Sequence, residues 1–283
     1  MQTKNIKKPE WIRSRFRSDL KYTDVSKILE NNDLHTICES GRCPNKSECW
    51  SKGTATFMIL GEICTRACKF CNTLSGKPFP PDADEPQRIA EAVKAMKLRY
   101  AVVTSVDRDD LPDKGAAHWA ATVKAIKSQN PQTTIEALIP DFDGTELLIQ
   151  QVVDTQPDVV SHNLETVRRL TPVVRSRADY ERSLAVLRFA AENNCRTKTG
   201  IMLGLGETET EVLELMDDAL NARVQILTVG QYLQPSRVNI AVNEYITPAQ
   251  FEKYRIIGLK KGFTHVESAP FVRSSYCAEK HVQ

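Results

Sequence analysis

Six of the eight cysteines in this 283-residue chain fall in two groups of three. Cys38, Cys43 and Cys49 are spaced C-x4-C-x5-C. Cys64, Cys68 and Cys71 are spaced C-x3-C-x2-C in the run Cys64-Thr65-Arg66-Ala67-Cys68-Lys69-Phe70-Cys71. Thiolates are the ligands of iron-sulfur clusters, which normally take four of them. Each triplet is one short, so in each case one iron must find another ligand, and that iron is where chemistry can occur. Three thiolates plus one further ligand also suit tetrahedral zinc, although zinc sites more often build from C-x2-C pairs. His35, His118, His162, His265 and His281 show no metal-ligand spacing and are assigned to no site, though His162 falls near the expected working face. Cys195, at the end of a helical pattern, reads as a small buried hydrophobe.

The elements that must hold these cysteines are legible from residue 54 onward, where short apolar runs alternate with stretches of helical period. Strands are expected at Thr54 to Leu60, Tyr100 to Ser105, Thr133 to Ile139, Val159 to His162, Thr197 to Leu203 and Gln225 to Tyr232. Helices are expected at Gln87 to Lys97, Ala116 to Gln129, Thr145 to Asp154, Asp179 to Asn193, Glu209 to Ala222 and Pro248 to Lys261. Pro248 after Thr247 reads as a first helical position behind an N-cap. Six βα units are fewer than the eight of a closed barrel. The expectation is therefore an α/β fold, a partial (β/α)6 TIM-like barrel with N- and C-terminal extensions, working at the C-terminal ends of its strands. A doubly wound open sheet is the alternative. On this reading residues 1–53 are an extension carrying the first triplet, 54–262 the barrel, and 263–283 a C-terminal segment.

The second triplet directly follows the first strand, and with Phe70 ahead of its third cysteine it resembles the radical S-adenosylmethionine (SAM) superfamily. That resemblance implies that the amino and carboxylate groups of SAM chelate the open iron. It also implies that electron transfer into the sulfonium yields a 5'-deoxyadenosyl radical able to abstract hydrogen from an unactivated C-H bond. Gly200-Ile-Met-Leu-Gly204-Leu-Gly206-Glu207 is similar to the superfamily's segment beside adenine, which marks Gly204 and Glu207, although glycines at a strand-helix turn are commonly structural. Asn163 and Glu165, beyond the fourth strand, are placed to meet ribose hydroxyls or the SAM amine, or else to cap a helix. Thr104 and Ser105 begin a loop whose backbone is placed to meet the methionyl portion, or else form a solvated loop cap. Lys198, unusual within a strand, is expected to point inward near the SAM carboxylate.

C-x4-C-x5-C ahead of C-x3-C-x2-C, with Arg273-Ser274-Ser275-Tyr276 near the end, resembles the lipoyl synthase family over essentially the whole chain. The resemblance implies two 4Fe-4S clusters, the second an auxiliary cluster held by Cys38, Cys43, Cys49 and a serine, here Ser275 in preference to Ser274. The chain departs from the family at Cys277, where histidine is usual; this thiol is either a bystander or a stronger ligand that replaces serine. The implied reaction inserts two sulfurs at C6 and C8 of an octanoyl chain on a lysine, with the auxiliary cluster as the sulfur source. Implied partners are an octanoylated lipoyl domain or glycine-cleavage H protein, reduced flavodoxin or ferredoxin, and an iron-sulfur carrier for cluster repair. A methylthiotransferase and a non-catalytic iron-sulfur carrier are the rival readings. The first usually adds a further RNA-binding domain for which little chain remains, and the second would not cleave SAM.

Composition sets the remaining bounds. The 38 Lys and Arg against 36 Asp and Glu leave a net charge of +2, which gives no argument for nucleic acid. Locally, Lys4, Lys7, Lys8, Arg13, Arg15, Arg17 and Lys21 outweigh Glu10 and Asp19. This is either a solvated tail or an arm for the acidic carrier that the resemblance implies. No apolar run reaches the roughly 20 residues of a membrane span and the first residues lack a signal core, so a cytoplasmic location is expected.

Overall fold

The computed structural model describes residues 7–13, 19–175 and 177–282, with His281 and Val282 by backbone alone. Lys4, Arg15 and Arg17 of the basic arm lie outside the described residues.

Ahead of the barrel come α1 (Leu20–Asn31), β1 (His35–Thr36), α2 (Ile37–Ser40) and α3 (Lys46–Ser51). β2 (Thr56–Ile59) then enters the sheet, and the loop after it carries β3 (Ile63–Cys64) and β4 (Leu74–Ser75), which pair with each other. From there strand and helix alternate through α4 (Glu85–Ala95), β5 (Tyr100–Ser105), α5 (Ala116–Gln129), β6 (Thr134–Leu138), α6 (Glu146–Val153) and β7 (Val159–Ser161). A one-turn α7 (Thr171–Val174) precedes α8 (Tyr180–Glu192), followed by β8 (Arg196–Leu203), α9 (Glu209–Asn221), β9 (Ile226–Gln231), α10 (Pro248–Lys261) and β10 (His265–Ser268).

The main sheet runs β1-β2-β5-β6-β7-β8-β9-β10. Every neighbour pair is parallel except β1 with β2, where His35 faces Met58 across an antiparallel ladder. The two end strands do not pair with each other, so the sheet is a partial barrel. All six expected strands are present, and both extensions add one: β1 from before residue 54 and β10 from after 262. β10 escaped the sequence reading because His265-Val-Glu-Ser is short and alternates between half-buried and buried, as an end strand does.

Covered on both faces, β2 and β9 are buried throughout, which makes them the near-continuous apolar runs typical of parallel sheets. The helices lay their apolar stripes on this sheet in two clusters. One gathers Phe57, Ile59, Val103 and Trp119, and the other Leu203, Leu215, Val229 and Phe251. Local signals set the helix starts. Thr208 and Glu211 close a capping box on α9, and the Thr247 hydroxyl accepts the Gln250 N-H ahead of Pro248 in α10.

The lower interior is polar and closed. Lys198 Nζ donates to both carboxylate oxygens of Glu136 at 2.8 Å, and Glu136 also accepts from Tyr100 (2.8 Å) and Ser161 (2.7 Å).

Candidate active site

A cavity of about 520 Å³ opens at the C-terminal ends of the strands, and five of the six clustered cysteines and Ser275 line it. The second triplet hangs in the loop after β2, reached through Leu60 and Gly61, both at positive φ (69° and 90°). This loop is pinned from several sides. Arg66 is buried and donates to Asp109 through two nitrogens (2.9 Å each) and to Asp141 (2.7 Å), with Asp107 at 3.4 Å. One guanidinium therefore ties the cysteine loop to the loops after β5 and β6. On the far side Lys69 N-H donates to Val174 O, Ile240 N-H to Lys69 O, and Asn239 Nδ2 to Cys71 O, at 2.8–2.9 Å.

Backbone donors already aim at the sulfurs. Asp107 and Arg66 N-H point at Cys64 Sγ (3.3 and 3.4 Å), and Thr73 N-H at Cys71 Sγ (3.4 Å). Such bonds stabilise cluster thiolates. Burial pushes the Cys64 thiol up to about 11 and that of Cys68 up to about 12, so iron has to displace a proton on binding. Among the described residues no three of His, Cys, Asp and Glu converge on one metal position. A cubane does not need that convergence, because each thiolate takes a different iron. Three cysteines around one recess, with N-H groups on two of the sulfurs, fit a 4Fe-4S cluster.

The first triplet lies alongside, where Asn72 Nδ2, next to Cys71, donates to Ser40 O, two residues after Cys38 (2.8 Å). Cys38 lies in α2, Cys43 in the turn behind it and Cys49 in α3; Cys43 N-H donates to Cys38 O (3.0 Å) and Cys49 N-H to Asn45 O (2.9 Å). Burial, then the neighbouring Cys38 and Cys43, pushes the Cys49 thiol up to about 12. Cys49 thus stands beside the other two, although it does not reach the cavity wall.

The C-terminal segment crosses over to this triplet. Asn45 Nδ2 holds Phe271 O (2.7 Å), Tyr276 OH donates to Glu48 (3.2 Å), and Thr56 Oγ1 donates to Ser275 Oγ (2.8 Å). Gly230 in β9 permits the crossing, since a Cβ there would stand 2.0 Å from Val272 O. Ser274 lines the cavity as well. Cys277 lies within electrostatic reach of Cys49 but outside the cavity wall.

Phe70, Thr104, Ser105, Asn163 and Glu165 all line the cavity. Asn163 Nδ2 donates to Glu165 (3.0 Å), while its Oδ1 is buried without a partner against Gly200. Glu165 has φ 65° and bridges to β8: its N-H donates to Gly200 O, and it accepts from Met202 N-H (2.9 Å each). Burial raises its carboxyl, opposed by the nearby Arg175 and Asn163.

Three expected contacts fall elsewhere. Lys198 does point inward, but strand alternation puts it two residues deeper than Gly200 on the same face, where Glu136 takes it and the cavity does not reach. Glu207 closes its own turn by accepting the N-H groups of Gly204 and Leu205, the latter at 3.0 Å. Gly204, at φ 99°, is required because a Cβ would meet Gln231 and the Glu244 carbonyl. Neither lines the cavity; Gly200, Ile201 and Met202 do.

Two residues had no sequence signal for a site role. Arg66 looked like spacer between cysteines. Arg175, after α7, donates to Asn163 O (3.1 Å) and Ser183 (3.2 Å), leaves Nε buried without a partner, and draws the Cys68 thiol down against burial. His162 also lines the cavity, bonded to Ile139 O (2.9 Å) and Ser183 (3.0 Å); burial, then Arg175, lowers it to about 4, so it is neutral.

Residues 58–219 match the Radical SAM superfamily. A lipoyl synthase of Parabacteroides distasonis is 61% identical over 278 residues, 98% of this chain and 99% of that one. A lipoyl synthase of Porphyromonas gingivalis is 60% identical over 279 residues, 98% and 99% of the two chains. Among solved structures, Streptococcus suis SuiB bound to S-adenosylmethionine has a TM-score of 0.58 at 10% identity, over 79% of this chain and 54% of that one. Methylornithine synthase PylB has a TM-score of 0.54 at 12% identity, over 91% and 85%. These two likenesses carry the fold, a parallel sheet with its cavity at the strand ends, and the near-full-length identities carry more: the chain belongs to the lipoyl synthase family of the radical SAM superfamily.

Proposed function

We propose that the chain inserts two sulfur atoms, at C6 and C8, into an octanoyl group carried on a protein lysine, giving lipoyl-lysine. As a radical SAM protein it uses SAM and an iron-sulfur cluster, and our reading adds a second 4Fe-4S cluster. The observation that carries it is that cysteines of both triplets, together with Ser275, line one cavity. When bound, SAM on the first cluster supplies a hydrogen-abstracting adenosyl radical, and the second cluster supplies sulfur.

The chain's own part is to hold, orient and exclude water. Cys64, Cys68 and Cys71 would hold the first cluster. Phe70, Thr104, Ser105, Asn163 and Glu165, which line the cavity, would surround SAM. Cys38, Cys43, Cys49 and Ser275 hold the second cluster. A serine oxygen beside three thiolates is the weakest of the four ligands, which suits a cluster that must be opened. Met58, Val106, Ile139, Ile201, Met202 and Tyr232 add apolar wall to the same cavity. Each methylene buried there is worth about 0.8 kcal/mol, and a dry site keeps the radical on the intended C-H bond.

The natural substrates on this reading are an octanoylated lipoyl domain or glycine-cleavage H protein. Reduced flavodoxin or ferredoxin is the electron source, and an iron-sulfur carrier rebuilds the spent cluster. Among the described residues no helix is long and apolar enough to cross a membrane; we place the reaction in the cytoplasm.

The test is anaerobic incubation of the cluster-loaded protein with SAM, dithionite and an octanoyl-lysyl peptide, read by mass spectrometry. Two sulfurs replacing two hydrogens, with 5'-deoxyadenosine formed, is the expected result. SAM cleavage over an unchanged peptide would point to a different substrate, and no SAM cleavage by protein holding both clusters would point to a carrier.

A further inference from the structure

The loop that carries Cys64, Cys68 and Cys71 leaves β2 at Leu60, in a conformation that leucine does not favour. Leu60 has φ 69°, where an L residue crowds its Cβ against the following carbonyl oxygen. Such a residue persists only where its surroundings over-determine it, and residues of this kind cluster at active sites and switch regions.

Leu60 is held by every group it has. Its N-H donates to Glu85 Oε2 at 2.8 Å, and its C=O accepts from Arg108 Nη1 at 3.3 Å. Its side chain is buried against Gly115, where a Cβ would stand 2.5 Å from Leu60 Cδ1. All three contacts come from other elements: Glu85 opens α4, Arg108 lies in the loop after β5, and Gly115 precedes α5. The two charged residues are themselves fixed. Glu85 Oε2 also meets His118 Nε2 of α5 at 2.6 Å, and Arg108 forks onto Asp110 through two nitrogens at 2.9 Å each. Both side chains are nearly dry, Glu85 6% and Arg108 1% exposed. Burying a carboxylate and a guanidinium is costly unless each has partners, and here one backbone residue serves both.

The loop that carries Arg108 also reaches a cluster ligand. Asp107 N-H, next to Arg108, points at Cys64 Sγ (3.3 Å), and Asp107 O accepts from Thr65 N-H (3.0 Å). The stretch from Leu60 to Cys64 is thus tied to this loop at both ends. Room for another pose exists, because a second cavity of about 100 Å³ is lined by Leu60, Gly61, Glu62 and Ile63 together with Glu85.

We propose that Glu85 and Arg108 are positioning residues for SAM cleavage: by gripping the N-H and the C=O of Leu60 they hold the cysteine loop in the pose that the reaction needs. Neither lines the active-site cavity, so each acts through Leu60. The inference rests on the reading that Cys64, Cys68 and Cys71 hold the first cluster; sulfur insertion does not enter it.

The test uses the full chain with Cys38, Cys43 and Cys49 replaced by alanine and loaded with iron and sulfide, so that one cluster is read. Its reduced EPR signal is recorded with and without SAM, beside the rate of 5'-deoxyadenosine formation under dithionite. Glu85→Leu and Arg108→Gln should each keep their iron, alter the signal seen with SAM, and slow cleavage by about tenfold to a hundredfold. Glu85→Gln, whose amide oxygen still accepts the Leu60 N-H, should recover most of the rate. Combining Glu85→Leu with Arg108→Gln should cost less than the product of the single losses, because both release the same residue. Val93→Ala, which opens a cavity in the same helix, should lower stability to urea and leave rate and signal at wild-type values. Should Glu85→Leu come without iron, Arg108→Lys, which keeps the charge and loses the fork, carries the same test with a smaller loss. A rate and signal unmoved in the Glu85 and Arg108 variants, or moved as far by Val93→Ala, would overturn the inference. A cluster signal and SAM cleavage that survive replacement of Cys64, Cys68 and Cys71 by alanine would instead sink the reading that these cysteines hold the cluster.

Discussion

Thr56, at the start of the first barrel strand, donates a 2.8 Å hydrogen bond to Ser275, 219 positions later in the chain. This bond holds the Ser275 hydroxyl against β2, and on it we propose Ser275 over Ser274 as the ligand beside the first cysteine triplet. It predicts that Ser275→Ala lowers iron and sulfide at the auxiliary site whereas Ser274→Ala leaves them near wild type. Thr56→Val, which loosens the ligand without removing it, should cost about tenfold in product formed. Iron analysis beside product yield checks both; equal effects of the two serine substitutions would contradict the assignment.

Arg66 neutralises Asp109 and Asp141 in a nearly dry setting, its side chain 5% exposed against 10% and 0%. Removing one partner of a buried ion pair leaves uncompensated charge, typically at about 3–5 kcal/mol. Arg66→Gln should lose about that much in anaerobic urea unfolding and release the first cluster more readily. A loss below about 1 kcal/mol would show the network to be solvated.

Lys198 tests the correction to its assigned role. If its partner is Glu136 and not SAM, then Lys198→Ala destabilises the fold severely. Lys198→Met combined with Glu136→Leu, which removes both charges, should be milder than either single change. Protein that remains folded should bind SAM with wild-type affinity in calorimetry. A selective loss of SAM affinity would return the lysine to the cofactor site.

His162 gives a pH signature. Its folded pKa is lowered to about 4 by burial, then by Arg175, against an ordinary 6.5. Between those values the unfolded chain binds a proton that the folded chain refuses, so stability falls as pH drops below 6.5 and stops falling near 4. By pH 5.5 this amounts to about 1.4 kcal/mol relative to pH 7.5. The stability difference between wild type and His162→Gln should shrink by about that amount over the same interval, a subtraction that removes groups common to both. An unchanged difference would mean that the histidine is protonated in the fold.

Much of this site was legible because its chemistry is local in sequence. Cluster thiolates come in tight spacings, and the six expected strands read as apolar runs because the parallel sheet buries both faces. What was not legible depends on depth and on partners brought together by folding. The alternation of β8 tells which face Lys198 takes but not which layer. Arg175 acquires its position from a one-turn helix, and Arg66 acquires meaning only once Asp109 and Asp141 arrive from two other loops.

The central claim is that the cluster held by Cys38, Cys43, Cys49 and Ser275 supplies the sulfur delivered into the shared cavity. Its most direct test is a single turnover of protein reconstituted with 34S-sulfide, freed of loose sulfide and run in excess unlabelled sulfide, with the lipoyl product weighed by mass spectrometry. Two 34S atoms in each product, and none formed by a Cys38→Ala, Cys43→Ala, Cys49→Ala variant that still cleaves SAM, is the predicted result. Product carrying unlabelled sulfur, or product formed by that variant, would contradict the account.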